Sequence, residues 1–224
     1  MDVSEALATR RSTRGFLDTP VDIELVRSVL AKASRAPSGG NLQPWHICIL
    51  GGQPLVELKK IMAQRVVESP DGEKQEYFVY PKGMMAPYTA RRVQFAVDLY
   101  EGCLGIKRDD MDRRGKWFAR NFQFFGAPLA LFCSVDRVMG APQWSDMGMY
   151  LQSVMLLLKE SGIDSCPQEC WGIYTQTVSR FLELPSNLML FCGMAIGYAD
   201  PHDPANALIT RRAPLEEFVT FKGV

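Results

Sequence analysis

The stretch A-P-S-G-G-N-L-Q-P-W occupies residues 36–45, between a helix-like segment and a strand-like segment. Its adjacent glycines and its two prolines exclude both a regular helix and a regular strand. Glycine lets main-chain amides approach a ligand closely, and Ser38, Asn41 and Gln43 offer side chains that hydrogen-bond polar groups. The residues themselves fit a ligand-binding loop and a plain connecting loop equally well.

On both sides of this loop, hydrophobic spacing predicts a mixture of helices and strands. An N-cap at Asp2, with Glu5 as its capping-box partner, predicts a first helix that runs through about Arg11. The order shows no regular βαβ rhythm, so one α+β domain over residues 1–224 is expected. The polar stretch 69–87 and the aperiodic tail 199–224 interrupt the pattern. The other predicted helices are 20–35, 55–67 (Leu55, Leu58, Ile61 and Met62 inward), one around 93–104 (Val93, Ala96, Val97, Tyr100 and Leu104 on one face), 109–121, 144–161 and 175–183. The predicted strands are 46–50 (buried), 128–135 and 188–198.

The composition argues against several functional classes. Twenty-five basic residues balance twenty-five acidic ones, which does not favour a nucleic-acid partner. No run of about 18 apolar residues is present, so no membrane span is expected. The two histidines lack metal-ligand spacing, and no phosphate-binding or dinucleotide-binding glycine motif occurs. Scattered cysteines and the lack of a secretion signal predict reduced thiols in the cytoplasm.

Three further clusters carry polar or charged groups. The run R-R-S-T-R at residues 10–14 suits an anion that also accepts hydrogen bonds, although a solvated helix end has similar residues. The run D-S-C-P-Q-E-C-W at residues 164–171 reads as a loop, which either aims main-chain N–H groups at a ligand or simply follows the long helix. The run T-R-R-A-P at residues 210–214 places a basic pair in the tail, where such pairs are usually solvated.

In this order and spacing, the four clusters resemble the FMN-dependent nitroreductase family across nearly the whole chain. The segments R-N-F-Q-F-F-G-A-P at 120–128 and F-C-G-M-A-I-G-Y-A-D at 191–200 are similar to the branch of bacterial nitrobenzene and nitrobenzoate reductases. The resemblance implies a central mixed or antiparallel sheet surrounded by helices. It also implies an intertwined homodimer with a C-terminal extension, here residues 199–224.

The resemblance implies a role for each cluster at a bound FMN. Arg10, Ser12 and Arg212 would contact the phosphate with help from Arg11, where family members often have histidine. Arg14 would lie at the N1/O2 edge of the ring, and Asn121 at the N3/O4 edge. Hydride transfer would occur at the flavin N5, so no side chain is predicted to be catalytic. The loop residues Pro37, Ser38, Gly39, Asn41 and Gln43 would come from the other subunit, and Pro167, Gln168, Glu169 and Cys170 (often glycine in the family) would flank the ring.

The implied reaction is reduction of a nitroaromatic compound by NADH or NADPH in a ping-pong cycle. Residues 69–117 read as an insertion that either lines the substrate pocket, with Tyr88 and Trp117, or fills a small subdomain. Quinone, enone or dehalogenating reduction on the same scaffold is an alternative, and so is a flavin-binding protein without turnover. A homodimer is also predicted from the tail and from the width of the apolar stripe on the helix 144–161, including Met149, Tyr150, Leu151, Met155 and Leu156.

Overall fold

The computed structural model describes residues 1–223, in which seven α-helices surround one four-stranded sheet. The expected α+β class is confirmed. The strands are β1 (His46–Gly51), β2 (Leu129–Asp136), β3 (Asp164–Gln168) and β4 (Leu188–Gly197). The helices are α1 (Val3–Thr9), α2 (Ile23–Ala33), α3 (Gly52–Glu68), α4 (Tyr88–Ala96), α5 (Met111–Ala119), α6 (Ala141–Glu160) and α7 (Thr175–Phe181).

The sheet has the order β1-β2-β4-β3, and every neighbouring pair of strands is antiparallel. β1 and β3 are therefore its two edges. The prediction of β1 as a buried strand is wrong, because an edge strand has one neighbour and keeps partial contact with solvent along its length. A single parallel bridge between Ser12 and Ser165 extends the sheet beyond β3.

The side chains of alternate strand residues point into two separate hydrophobic cores, one on each face of the sheet. Leu131 and Met194 face the core covered by α2 and α6, whereas Phe132 and Ala195 face the core covered by α3, α7 and residues 99–125. This period of two is what strand geometry requires. The sheet is thus buried on both faces, and its open positions are its edges.

Aspartate caps start the first two helices, at the predicted Asp2 and at Asp22, so α2 begins at Ile23 rather than at residue 20. Asp2 accepts a hydrogen bond from the Glu5 amide at 2.8 Å, and Asp22 caps α2 in the same way. α1 ends at Thr9 rather than near residue 11, so residues 10–14 are free to run along the sheet edge. In α3 the predicted inward position of Ile61 is wrong, since its side chain is 41% exposed.

β3 is the element that sequence reading misses. Residues 164–168 form a strand paired with β4 rather than a loop. Pro167 has no N–H to donate, and its polar neighbours weaken the strand signal, yet proline is tolerated on an edge strand. The consequence for function is large, because this strand carries the residues predicted to flank a flavin.

Two glycines in β4 mark close packing. A Cβ at Gly193 would collide with the Trp171 ring, and one at Gly197 would lie 2.8 Å from Pro128 Cδ. Trp171 is fully buried and stacks on Phe124 with ring centroids 4.6 Å apart. Gly193 therefore makes room for the aromatic core beneath β3 and β4.

The apolar stripe on α6 is mostly used inside the protomer. Tyr150, Leu151 and Met155 are buried against the sheet, so they give no argument for a second chain. Met149 is 38% exposed and Leu156 is partly buried. Only these two of the five residues remain as support for a second apolar face of the helix.

Candidate active site

The N-terminal basic cluster lies along the β3 edge of the sheet. Past the end of α1 the chain is extended, and the Thr13 amide donates to the Ser165 carbonyl at 3.1 Å. Thr13 is buried, whereas Ser12 and Arg14 on either side of it are partly exposed. The extended backbone therefore presents Ser12 and Arg14 on the side opposite to Thr13.

Arg10 and Arg212 bring two positive charges together from opposite ends of the chain. Burial and then the charge of Arg212 lower the pKa of Arg10, partly offset by Cys166. No carboxylate within residues 1–223 pairs with either arginine. The Arg212 guanidinium donates only to neighbouring groups in the tail, at Thr210 and Arg211. Two cations without a counter-ion create a local positive charge that suits an anion. Arg11 is exposed beside them.

Arg14 is fixed by the tail. Its amide donates to Asn206 Oδ1 at 2.7 Å, and its guanidinium donates to the Ser12 carbonyl at 3.1 Å. The guanidinium also lies 5.3 Å from the centre of the Phe95 ring. Asn206 additionally donates to the carbonyls of Gly15 and Asp200, so it ties the tail to the basic cluster. Sequence reading misses Asn206, because a single polar residue in an aperiodic tail carries no signal.

The residues at the end of β3 and just after it divide into exposed and buried positions. Pro167 and Glu169 reach the surface, while Gln168 is 3% exposed. The side-chain amide of Gln168 donates from Nε2 to the main-chain carbonyl of Asn121 at 2.8 Å. Its Oε1 accepts from the Trp171 indole at 3.3 Å. Its side chain is therefore committed to the core and is not free to bind a ligand.

Asn121 and Cys170 lie next to these residues. The Asn121 side chain donates to the Phe118 carbonyl at 2.8 Å, and its Oδ1 accepts from Gln168 Nε2 at 3.3 Å. Cys170 packs against the aromatic core, and burial raises the pKa of its thiol. Burial also raises the pKa of the Glu169 carboxyl group. The structure thus brings Asn121 into contact with the β3 segment.

The loop that contains Ser38, Asn41 and Gln43 is held by bonds of its own. The Gln43 amide donates to Ser38 Oγ at 3.0 Å, and the Gln43 side chain donates to the Asn41 carbonyl at 3.2 Å. Gly40, Asn41 and Gln43 have φ of 57°, 59° and 50°, the left-handed region that favours glycine and asparagine. The side chains of Asn41 and Gln43 are exposed, which leaves them accessible to a ligand.

The loop is attached to α6 at two points. The Gly39 amide donates to Asp146 Oδ2 at 3.1 Å, and Trp45 stacks on Tyr150 with ring centroids 4.7 Å apart. Asp146 is 4% exposed. Since Asp146 and Tyr150 are one helical turn apart, both attachments use one face of α6. Asp146 is a second residue that sequence reading misses, because it lies among apolar residues of a strong helix.

The loop and the basic cluster occupy opposite edges of the sheet. The loop leads directly into β1, whereas residues 12 and 13 pair with β3. Three strand spacings separate β1 from β3, which is about 14 Å. Within one protomer the structure does not bring Ser38, Asn41 and Gln43 together with Arg10 and Arg212.

The two residues predicted to contact substrate lie in different environments. Tyr88 begins α4 and is 61% exposed. Trp117 is 9% exposed and packs edge-on against Tyr100, with ring centroids 5.4 Å apart. The Trp117 indole N–H is buried without a hydrogen-bond partner in the described part of the chain. Residues 88–119 thus contribute both surface and core.

Other kinds of site find no support in residues 1–223. No group of three or more metal-ligating side chains occurs there. None of the helices there combines the length and apolar character needed to cross a membrane. All six cysteines are free thiols.

Comparison with known proteins places this geometry in a family. The sequence profile of the Nitroreductase family matches residues 7–198. The chain belongs to the nitroreductase family. The matched residues include the basic cluster, the loop before β1 and all of β3, and exclude only the first helical turn and the tail.

Individual nitroreductases match over almost their whole length. The chloronitrobenzene nitroreductase of Comamonas testosteroni is 35% identical, with 98% of this chain and 96% of the relative aligned. The nitrobenzene nitroreductase of Ectopseudomonas oleovorans is 34% identical, again with 98% and 96% aligned. The crystal structure of the FMN and NADPH-dependent nitroreductase NfnB from sphigopyxis sp. strain HMH superposes with a TM-score of 0.97 and 46% identity over all of both chains. The nitroreductase fold is therefore confirmed.

Proposed function

We propose that the protein is an FMN-dependent oxidoreductase that reduces nitroaromatic compounds with NADH or NADPH. The observation that carries the proposal is the convergence of Arg10 and Arg212 beside Ser12 with no carboxylate partner in residues 1–223. Two similar enzymes are named for nitrobenzene or chloronitrobenzene, and a third is described as FMN and NADPH-dependent.

The phosphate of FMN fits the anion site. Arg10 and Arg212 would provide charge-assisted hydrogen bonds, and the Ser12 hydroxyl would provide a neutral one. Arg11 is close enough in sequence to add a further charge from its exposed position. A bound phosphate would also relieve the repulsion between Arg10 and Arg212. The site suits a mononucleotide, because the sequence contains no dinucleotide-binding glycine motif.

The isoalloxazine ring would lie between Arg14 and the segment after β3. Arg14 is held by Asn206, so its charge stays near the N1/O2 edge, where negative charge gathers on reduction. Asn121 would contact the N3/O4 edge. Pro167, Glu169 and Cys170 would border the ring, and Gln168 would contribute its main chain, because its side chain is already bonded.

When bound, FMN supplies the chemistry by accepting and donating hydride at N5. The chain supplies placement and charge, and no side chain is assigned a covalent role. Because the sequence shows no separate dinucleotide-binding motif, the coenzyme and the nitro compound would occupy the same place in turn. The nitro group would gain two electrons in each cycle, first to nitroso and then to hydroxylamine. Tyr88, exposed at the start of α4, would contact the aromatic substrate, and Trp117 would support the pocket from the core.

We further propose a homodimer whose subunits complete each other's sites. Three strand spacings, about 14 Å, separate the loop before β1 from the β3 edge of its own protomer. A partner's loop is therefore better placed to reach the flavin, with the residues Pro37, Ser38, Gly39, Asn41 and Gln43. In the tail, Phe218 and Phe221 are 68% and 67% exposed in the single chain, which favours burial against a partner. The free thiols favour a cytoplasmic location.

The cofactor and the assembly can be tested on the purified protein. We expect a yellow protein that releases FMN on denaturation, and a light-scattering mass of about twice the 25.1 kDa of the chain. Released FAD, or failure to bind FMN on reconstitution, would contradict the cofactor assignment. A flavin-loaded monomer with full activity would contradict the shared site while leaving the cofactor assignment intact.

A further inference from the structure

A cleft of about 270 Å³ opens beside the π-helical continuation of α4, residues 97–103. Its apolar wall includes Val93 and Val97. Three arginines line it, Arg92 from α4, Arg114 from α5 and Arg108 from the connection between them. We call this space, defined by Arg92, Arg108 and Arg114, the arginine cleft.

The charges in the arginine cleft are unbalanced. Its only acidic lining residue is Glu101, so three positive charges face one negative charge. None of the three arginines forms an ion pair within residues 1–223. By contrast, Arg91 pairs with Glu217 and Arg113 with Asp110, although each adjoins a cleft arginine in sequence. Nearby carboxylates therefore neutralise Arg91 and Arg113 and leave the three arginines of the cleft available.

Two of the three guanidinium groups are held in position by aromatic rings. Arg92 lies 3.9 Å from the centre of the Tyr80 ring, and Arg114 lies 4.0 Å from the centre of the Tyr100 ring. Stacking of this kind restricts the rotamers of a long side chain while leaving its N–H groups free. A ligand would meet donors that are already ordered, so less entropy is lost on binding.

The arginine cleft adjoins the proposed flavin position. α4 directs Phe95 toward Arg14 and places Val93 in the cleft wall, and its π-helical continuation adds Val97 to that wall. The Tyr100 ring lies near both Arg14 and Arg114, whose charges offset part of the rise in pKa that burial imposes on its phenol. One layer of aromatic side chains, Phe95 and Tyr100, thus lies between the cleft and the charge at the flavin edge.

We propose that the arginine cleft binds an oxyanion carried by a molecule that reacts at the flavin. Guanidinium groups bind carboxylate and phosphate oxygens in a bidentate manner, and the apolar wall accommodates the attached carbon skeleton. Two sources carry this chemistry, the carboxylate of an acidic nitroaromatic substrate and the 2′-phosphate of NADPH. The inference rests on the proposed function, because it takes the reacting molecule to be bound beside FMN.

Matched pairs of ligands distinguish the two possible sources of the oxyanion, the substrate carboxylate and the coenzyme phosphate. The holoenzyme, its Arg108→Gln and Arg92→Gln variants, and the control Arg113→Gln are titrated by calorimetry with 4-nitrobenzoate and with NADP⁺. KM is then measured for 4-nitrobenzoate against nitrobenzene and for NADPH against NADH. Arg113 suits the control because its charge adjoins the cleft but is paired with Asp110.

Loss of one charge-assisted bond changes affinity about tenfold or more. We therefore expect Arg108→Gln and Arg92→Gln to weaken one charged ligand by about tenfold, while its uncharged or dephosphorylated counterpart and the control keep the wild-type value. A change for 4-nitrobenzoate identifies the substrate carboxylate, and a change for NADP⁺ identifies the coenzyme phosphate. Wild-type values for both charged ligands in both variants would overturn the proposal. A wild-type protein that neither holds FMN nor reduces any nitro compound would instead overturn the proposed function.

Discussion

Arg10 is the residue whose replacement tests the anion site most selectively. It is partly buried, it faces the charge of Arg212, and it has no carboxylate partner in residues 1–223. Arg10→Gln removes the charge and keeps a side chain that can still donate a hydrogen bond. We expect FMN to bind more weakly and the protein without flavin to be no less stable.

The expected loss follows from one charge-assisted hydrogen bond, about 1.5–3 kcal/mol. Each 1.4 kcal/mol is a factor of ten in affinity, so the dissociation constant of FMN should rise about tenfold to 150-fold. The lower part of that range applies, because solvent partly screens a half-buried charge. Arg212 and Ser12 remain in place, so binding should weaken without being abolished.

The stability of the apoprotein should move in the other direction or not at all. The pKa of Arg10 is lowered by burial and by Arg212, which means that folding disfavours its charged form. Arginine stays protonated at neutral pH, so the cost is fully present there, and replacing the charge by an amide removes it. We therefore expect an unchanged or slightly higher Tm for the variant apoprotein.

The assay is fluorescence titration of FMN into apoprotein, combined with thermal unfolding of the same samples. Arg27→Gln serves as the control, since Arg27 is an exposed arginine of α2 paired with Glu24. An unchanged dissociation constant would refute the assignment of Arg10 to the phosphate. A large drop in the Tm of the apoprotein would show that Arg10 stabilises the fold and that its effect on FMN is indirect.

Substitutions at three further positions test other parts of the site and the core beneath it. Arg14→Ala should lower flavin affinity or the rate of reduction by about tenfold or more while light scattering shows an unchanged mass; wild-type affinity, potential and rate would make Arg14 a surface cation. Asp146→Ala removes the acceptor of the Gly39 amide, so hydrogen exchange at Gly39 should accelerate and FMN should bind about fivefold more weakly. Asp146→Asn keeps an acceptor oxygen and should preserve both the exchange rate and the affinity. Equal effects of the two variants would indicate that the acceptor is unimportant. Gly193→Ala places a methyl group against Trp171 and should lower the free energy of unfolding by about 1–3 kcal/mol; an unchanged Tm would mean that the ring shifts freely.

Much of the fold follows from local patterns that the sequence displays openly. Asp2 and Asp22 start helices where their side chains cap them, and α6 is recognised from its apolar spacing. β2 and β4 are continuous apolar runs because both faces of the sheet are covered. These elements are predictable because short-range capping and burial on both faces leave a signal in adjacent residues.

The features that the sequence does not predict depend on tertiary contacts. β3 is polar and contains Pro167, so only its pairing with β4 makes it a strand. Gln168 looks like a ligand-binding residue in the sequence, yet its side chain is bonded to Asn121 and Trp171 in the core. Asn206 accepts a hydrogen bond from the Arg14 amide, 192 residues away in sequence. Asp146 accepts one from the Gly39 amide, 107 residues away. No local pattern contains such information.

The two half-reactions under anaerobic conditions test the central claim most directly. The purified yellow holoenzyme is mixed with NADH or NADPH in a stopped-flow instrument, and nitrobenzene is added after the coenzyme is consumed. We predict rapid loss of the flavin absorbance with at least one coenzyme, its return on addition of nitrobenzene, and hydroxylaminobenzene as the product. A flavin that keeps its colour with both coenzymes, or a bleached flavin that nitrobenzene does not restore, would contradict the assignment of this protein as a nitroreductase.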